Sequence, residues 1–253
     1  MTIGIMTAVP EEANLLARAM RRDSEHAHGG RTYYTGELEE KRIVLVFSRM
    51  GKVAAAVTAQ HLIDVHRVSS IIFSGVAGAL DPNLRVGDVV VGKRLWQHDM
   101  DASPLVPPLE LPLLNVSSFE CDSRLREALE QSAAEFVRHD FQEAIGSAAA
   151  AELGIPSPRV FSGDIASGDR FVASAEDREE VRRKVPSALC VEMEGGAVAQ
   201  VCYEQGVPLG VVRVISDSAN EHAAVDFGVF VNKAASQYGL GIIRRALRHG
   251  VGG

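Results

Sequence analysis

The chain has 253 residues, of which 46% are apolar and 23% are charged, and its formal net charge is −7. A chain of this length and composition buries a sizeable core, which excludes a largely disordered protein. The negative charge argues against a protein that coats DNA or RNA, because such proteins normally present a basic face. No apolar run approaches the roughly 18 residues of a membrane span, and the N-terminus lacks the basic stretch of a secretion signal. We therefore expect a cytoplasmic protein that binds neither nucleic acid nor membrane, with its three cysteines as buried thiols.

Apolar runs of strand length alternate with segments of helical period along the chain. Residues 2–8 predict a strand, and Pro10 with the two acids after it predicts the start of a helix. Further strands are predicted at residues 31–38, 42–47, 70–74, 86–91, 159–165, 188–191 and 209–215, and helices at residues 51–68, 123–139, 140–153, 195–205 and 227–248. This alternation predicts an α/β fold of three layers, in which a mixed, mainly parallel sheet is flanked by helices. We expect residues 1–253 to form a single domain.

One segment, residues 103–120, does not follow this alternation. It holds four prolines and several leucines, and it is too apolar to be a linker. We interpret it as an excursion from the core that a soluble monomer would leave exposed to water. Burying it between two copies of the chain would remove an apolar surface patch, so we expect a homodimer.

Four of the predicted strands are followed by residues that can carry chemistry or form a tight turn. In open α/β sheets, ligands bind beyond the carboxyl ends of the strands. Carboxylates at three such ends, together with Arg213 inside the last strand, predict an acid–base site. The residues are Glu12 after the first strand, Val76, Ala77 and Gly78 after residues 70–74, Glu192, Met193 and Glu194 after residues 188–191, and Ser216 and Asp217 after residues 209–215.

These residues also have a purely structural interpretation. Glu12 is typical of a helix N-terminus, and Asp217 is typical of a cap on a short turn. Gly75 and Gly78 are typical of a tight turn. Arg213 is harder to explain in this way, because a buried guanidinium needs an anionic or carbonyl partner. From the residues alone, both interpretations stay open.

Several stretches of the chain recur together and in one order in a known family. The chain resembles the nucleoside phosphorylase/nucleosidase superfamily and, within it, most of all the 5′-methylthioadenosine/S-adenosylhomocysteine nucleosidases. The resemblance covers almost the whole chain except about residues 104–158, and the combination V-E-M-E-G with a later R-V-I-S-D is its most specific part. The stretches are Ile3–Ile5 with Glu11 and Glu12, Ser48–Ala55, Ser74–Leu80, Val86–Val91, Ser167–Val172, Val191–Ala199 and Val212–Asp217.

This resemblance implies hydrolysis of the N-glycosidic bond of an adenine nucleoside, with release of adenine. Glu12 would activate the attacking water, and Arg213 would help to hold it. Glu194 would accept hydrogen bonds from the ribose hydroxyls, with Met193 packing on the sugar. Asp217 would bind the adenine amino group and protonate N7, which is the work of a general acid.

The remaining implied contacts surround the base and the 5′ substituent of the nucleoside. Phe171 would stack on the base, and the backbone of Val172 would bind its Watson–Crick edge. Two residues depart from the family pattern: Val76 replaces a common serine near the water, and Leu105 replaces an aromatic ring that a neighbouring subunit often supplies. The other expected substrate contacts are Val9, Met50, Ala77, Gly78, Glu192 and Phe227.

Two other functions compete with hydrolysis. A phosphorylase of the same fold would use inorganic phosphate as its nucleophile, and Arg49 and Arg170 are cations that could serve it. The acids Glu11 and Glu12 after the first strand would repel phosphate, so hydrolysis is favoured. A non-catalytic nucleoside-binding protein is disfavoured because the implied catalytic acids are all present.

Neither a cofactor nor a metal is expected. The run His98–Asp101 resembles a run near the subunit interface of the related enzymes, which need no metal, so we interpret it as structural or interfacial. His26, His28, His222 and His249 lie in polar or terminal stretches without acids or cysteines at ligand spacing, and we expect them to be exposed.

Overall fold

The computed structural model describes residues 1–251, where ten strands form one sheet with helices on both faces. The strands are β1 (Thr2–Thr7), β2 (Arg21–His28), β3 (Arg31–Leu38), β4 (Lys41–Phe47), β5 (Ser70–Ala79), β6 (Val89–Gln97), β7 (Ser118–Glu120), β8 (Val160–Ser167), β9 (Ala188–Glu192) and β10 (Leu209–Asp217). The helices are α1 (Pro10–Ala19), α2 (Lys52–Asp64), α3 (Ser123–Glu135), α4 (Phe141–Ile145), α5 (Ser147–Glu152), α6 (Ala175–Lys184), α7 (Gly195–Gln205), α8 (Ala223–Phe230) and α9 (Ser236–Arg248), with π-helical turns at Phe136–Asp140 and Val231–Ala235. The predicted α/β fold with a mixed, mainly parallel sheet is confirmed, while residues 252–253 of the predicted domain lie outside the described part.

The sheet closes on itself on one side and stays open on the other. β10 pairs with both β5 and β6, and β8 and β9 complete a ring that returns to β5. β1 and β4 extend the sheet in parallel from β5, and β3 and β2 form its open edge. Closure brings the carboxyl ends of β5, β9 and β10 together, because Gly78 pairs with Val191 and lies opposite Asp217.

Both faces of the sheet are buried, which explains the near-continuous apolar strands. Along β1, Ile5 belongs to the same apolar cluster as Leu16 of α1, whereas Met6 belongs to the opposite cluster with Leu62 of α2. Helices α1, α3 and α9 pack together on the first face, and α2 packs with α7 on the second. As predicted, the three cysteines are buried free thiols.

The sequence does not predict strand β2 or helix α6. β2 is exposed along its whole length, and α6 buries only Val181. Neither element therefore has the apolar period from which a strand or helix is recognised. Both form because of their hydrogen bonding, β2 by pairing with β3 and α6 with a Ser174 side chain that caps its N-terminus.

Several element boundaries also differ from the prediction. The strand predicted at residues 70–74 continues to Ala79, so Gly75–Gly78 is extended chain and not a turn. The helix predicted at residues 140–153 breaks at Gly146, whose φ of 79° suits glycine. The strand predicted at residues 86–91 occupies Val89–Gln97, the helix predicted at 51–68 occupies Lys52–Asp64, and the closing helix predicted at 227–248 starts at Ala223 and contains the second π-helical turn.

The proline-rich segment leaves apolar side chains at the surface. After its turns come a bridge between Leu111 and Val116 and then strand β7, which pairs with β6. Leu105 is 86% exposed and Leu113 is 96% exposed. None of the helices within residues 1–251 is both long and apolar enough to cross a membrane.

Candidate active site

A cleft opens where the ends of β5, β9 and β10 meet the start of α1. Every predicted site residue except Arg213 and Leu105 lines it, namely Val9, Glu12, Met50, Val76, Ala77, Gly78, Phe171, Val172, Glu192, Met193, Glu194, Asp217 and Phe227. The lining also includes Ala8 and Val191, which the sequence did not suggest, and Ser216 and Arg170, which were predicted as a neighbour of Asp217 and as a cation for phosphate.

Glu12 joins the start of α1 to the sheet. It is the third residue of α1, and its Oε2 accepts hydrogen bonds from the N–H groups of Ala8 at 2.8 Å and Val9 at 3.2 Å. Its Oε1 accepts a hydrogen bond from the N–H of Val76 on β5, at 3.0 Å. Burial raises the pKa of the Glu12 carboxyl, although these donors and Arg213 oppose the rise. Glu12 thus supports the helix start and also lines the cleft.

Gly75 and Gly78 leave room for two carboxylates. In the pairing of β5 with β10, Gly75 lies opposite Arg213 and Gly78 lies opposite Asp217. A Cβ at position 75 would lie 3.1 Å from Oε1 of Glu12, and a Cβ at position 78 would lie 2.9 Å from Oδ1 of Asp217. The register of β10 shifts just before Asp217, a bulge that re-aims its side chain. The two glycines therefore permit close approach, and the interpretation as a tight turn is wrong.

Arg213 lies beneath the cleft and not in its wall. It is 1% exposed, and its Nη2 donates a hydrogen bond to Oε2 of Glu192 at 2.7 Å. Its Nη1 donates to the carbonyl oxygens of Phe73 and Val212, each at 3.1 Å. The expectation that this guanidinium needs anionic or carbonyl partners is confirmed. Burial lowers the pKa of Arg213, but the three cleft glutamates outweigh that effect and raise it above its ordinary value.

Glu192 and Glu194 have different partners although one residue separates them. Glu192 accepts hydrogen bonds from the Ser167 hydroxyl and from the N–H groups of Glu194 and Gly195, in addition to its ion pair. Its carboxylate therefore holds the start of α7 and the guanidinium in place. Glu194 accepts a hydrogen bond from the N–H of Gly51 at 2.8 Å. Burial, and then the charge of Glu192, raise the pKa of Glu194 to about 8.

Asp217 ends β10 and is held through both of its oxygens. Oδ2 accepts a hydrogen bond from the Ser216 hydroxyl, and Oδ1 accepts one from the N–H of Ala219, both at 2.8 Å. The hydrogen bond from Ala219 is a contact within a short turn, as the structural interpretation of Asp217 predicted. Burial raises the pKa of Asp217 despite these two donors. A buried carboxyl of this kind is suited to hold a proton and to donate it.

Two aromatic rings line the apolar part of the cleft. Phe171 and Phe227 pack edge to face, with ring centroids 5.8 Å apart and an interplanar angle of 78°. Phe171 remains 38% exposed, which places it at the mouth of the cleft. Val172 is buried beside it in a segment that is neither helix nor strand. Leu105 lies outside the cleft of its own chain.

The strand ends of this α/β sheet surround a cleft lined by carboxylates. This arrangement is typical of α/β proteins that bind small molecules. The Phosphorylase superfamily matches residues 2–248, and the chain belongs to this superfamily. The chain is 35% identical over 239 residues to the 5′-methylthioadenosine/S-adenosylhomocysteine nucleosidase of Staphylococcus aureus, covering 92% of this chain and 93% of the relative.

Solved structures extend this likeness to three dimensions. The nucleosidase of Neisseria meningitidis in complex with methylthio-immucillin-A is 31% identical, with a TM-score of 0.85 over 98% of this chain and 99% of the other. The futalosine hydrolase of Helicobacter pylori is also 31% identical, with a TM-score of 0.82 and 98% coverage of both chains. The resemblance drawn from the sequence motifs is confirmed.

Proposed function

We propose that this protein is a nucleosidase that hydrolyses the N-glycosidic bond of 5′-substituted adenine nucleosides, such as 5′-methylthioadenosine or S-adenosylhomocysteine. The observation that carries the proposal is that Glu12 and Asp217, two buried carboxyls with raised pKa, line one cleft together with Glu194. Glycosidic hydrolysis needs a base for the water and an acid for the departing purine. The functions named for the relatives agree with this chemistry.

In the proposed reaction, water attacks the anomeric carbon of the ribose as its bond to adenine breaks. Glu12 accepts a proton from the water, and Asp217 delivers a proton to N7, so that adenine leaves as a neutral molecule. The ribosyl group gains positive charge in the transition state, and Glu194, which accepts hydrogen bonds from the hydroxyls, stabilises that charge in its ionised form. The products are adenine and the 5-substituted ribose.

The other cleft residues orient the nucleoside. Phe171 stacks on the base, the backbone of Val172 binds its edge, and Met193 packs on the sugar. Arg213 acts from beneath the cleft, through its field on the glutamates and its pair with Glu192, instead of touching the water. Val76 has no hydroxyl where relatives commonly have a serine, but its backbone N–H donates a hydrogen bond to Glu12. Val9, Met50 and Phe227 surround the 5′ substituent.

Phosphate is the weaker candidate for the nucleophile. Arg170 reaches the cleft, but it pairs with Asp177 and also lies 3.6 Å from Glu180. Arg49 donates its hydrogen bond to the carbonyl oxygen of Gly30, at 2.6 Å. Both cations are therefore engaged elsewhere, whereas a phosphate dianion needs several donors directed at it. The glutamates of the cleft would also repel it.

Adenine release from 5′-methylthioadenosine, measured with and without inorganic phosphate, tests the proposed function. We expect equal rates in both buffers and free 5-methylthioribose as the second product. A rate that depends on phosphate, with a ribose 1-phosphate product, would assign a phosphorylase. Binding of the nucleoside without any adenine release would assign a non-catalytic protein.

Gly78→Ala is expected to lower kcat/KM by about tenfold or more, because the added methyl group pushes Asp217 away from its position. Steady-state kinetics measures the loss, and a thermal melt checks that the variant folds. Gly228→Ala is the matched control, since a Cβ at position 228 would meet nothing within 4 Å. Parent-like kinetics of a folded Gly78→Ala variant would contradict the close-approach argument.

We also propose that the protein is a homodimer in which the Ala102–Leu105 segment of one copy completes the 5′ end of the other copy's cleft. The support is the exposure of Leu105 and Leu113 in a segment too apolar for a solvated surface. Leu105→Phe should change the ratio of kcat/KM between 5′-methylthioadenosine and adenosine by about tenfold, since a pocket contact of this size is worth roughly 1–3 kcal/mol. Leu113→Phe changes another highly exposed leucine of the same segment and should leave the ratio unchanged. A fully active monomer in light scattering would refute the shared cleft.

A further inference from the structure

Four histidines from separate parts of the chain meet at the open edge of the sheet. His26 and His28 are alternate residues of β2, so their side chains share one face. α2 contributes His61, and His66 follows the end of that helix. The rings of His28 and His61 are nearly parallel with centroids 4.2 Å apart, and those of His61 and His66 are 5.5 Å apart. We call these four residues the histidine cluster; none of them lines the cleft.

Three members of the histidine cluster bring ring nitrogens close to one another. One nitrogen from each of His26, His28 and His61 lies within 4.8 Å of the other two. Within residues 1–251, Nε2 of His61 and Nε2 of His66 are buried and have no hydrogen-bond partner. A buried polar atom without a partner is costly, and a bound ion is one partner that would satisfy the nitrogen of His61.

We propose that His26, His28 and His61 form a binding site for a late first-row divalent cation, with Zn²⁺ as its representative. Neutral imidazoles are preferred ligands of zinc, copper and nickel, whereas magnesium and calcium prefer oxygen ligands. Zn–N bonds of about 2.0–2.1 Å place two ligand nitrogens about 3.3 Å apart in a tetrahedron. His26 and His28 are exposed, so rotation of their side chains can close the remaining gap. Water takes the fourth position.

Such an ion would join two elements that the backbone leaves separate. Among the described strands β2 pairs with β3 alone, while α2 packs on a face of the sheet. A cation held by two side chains of β2 and one of α2 would fasten this edge strand to the helix. Because the unfolded chain cannot hold the three rings together, binding would stabilise the folded state.

The test is a zinc titration of the full-length protein after treatment with a chelator. We expect one equivalent of Zn²⁺ to bind in isothermal titration calorimetry. At a zinc concentration of about a hundred times Kd, the melting temperature should rise by roughly 5–10 °C. Magnesium chloride at the same concentration should leave the melting temperature unchanged. A parent protein that binds no stoichiometric zinc would overturn the proposal.

Variants locate the bound ion. His28→Asn and the double variant His26→Asn/His28→Asn should weaken zinc binding by at least about tenfold, because each removes a ligand. Both positions are exposed, so the variants should fold, and near-ultraviolet circular dichroism checks this. His139→Asn changes an exposed histidine outside the cluster and should bind zinc as the parent does. Undiminished zinc binding by the folded double variant would place the ion elsewhere and refute the site.

Discussion

Asp217→Asn is expected to lower kcat for adenine release by about 10²–10⁴-fold, the range that loss of a general acid produces. The amide keeps the shape of the side chain and can still accept the hydrogen bond from Ala219, but it has no acidic proton to deliver to N7. Ultraviolet detection of adenine under substrate saturation measures kcat. A matching melting temperature shows that the fold is retained.

Asp226→Asn is the matched control for that substitution. Asp226 lies on α8 near Asp217 but does not line the cleft, so its variant should keep kcat within a few-fold of the parent. The parent should also prefer 6-amino over 6-oxo purine nucleosides, because in the proposed reaction a carboxyl oxygen of Asp217 accepts a hydrogen bond from the amino group. Near-full activity of Asp217→Asn, or faster cleavage of inosine than of adenosine by the parent, would contradict the assignment of Asp217 as the general acid that binds the purine.

Glu12→Gln should retain binding of the nucleoside and lose turnover, with kcat at least about 10²-fold lower. The substitution keeps the volume of the side chain while removing its capacity to accept a proton from water. Calorimetry with 5′-methylthioadenosine measures binding to the inactive variant, and adenine release measures turnover. If binding disappears and kcat persists, Glu12 positions the substrate and another group activates the water.

A control variant at the neighbouring acid and the pH profile of the parent both test the role of Glu12 as the base. Glu11→Gln changes the preceding residue of the same helix turn, outside the cleft, and should leave both measurements unchanged. A general base works only in its ionised form, and the pKa of Glu12 lies above the ordinary value of 4.5. The parent should therefore lose kcat as the pH falls through a value above 4.5. Full activity maintained below pH 4.5 would exclude Glu12 as the base.

The sequence predicts most of the fold because burial determines where apolar residues recur along the chain. β1 and β10 are mostly apolar and almost entirely buried since helices cover both faces of the sheet, and this pattern is visible without a structure. β2 and α6 escape prediction because they bury almost nothing and depend on pairing and capping. The extension of β5 through Gly75 and Gly78 escapes for another reason. Local sequence cannot distinguish glycines of a turn from glycines that give space to side chains on other elements.

For the site, the sequence identifies residue types and the fold supplies their partners. Arg213 in an apolar strand demands a counter-charge, but nothing in the sequence says that Glu192 pairs with it while Glu194 turns towards Gly51. That division depends on where α7 begins and on how β9 crosses the end of β5. The histidine cluster shows the same limit, because its members become neighbours only when β2 pairs along the edge and α2 packs beside it.

The buried carboxyls of the cleft have a consequence for how firmly the chain stays folded. Since the folded-state pKa of Glu12, Glu194 and Asp217 is raised, the native protein holds these protons more tightly than the unfolded chain. Their contribution to the free energy of unfolding is complete below the ordinary values of 4.5 and 3.8, and it is lost as the pH rises through the folded values, about 8 for Glu194. At neutral pH the free energy of unfolding is therefore lower than it would be if these three carboxyls had their ordinary pKa values. Such a loss of stability is common at functional sites. A nucleoside that binds the folded chain and not the unfolded one would raise the free energy of unfolding, so occupancy of the cleft would offset part of this loss.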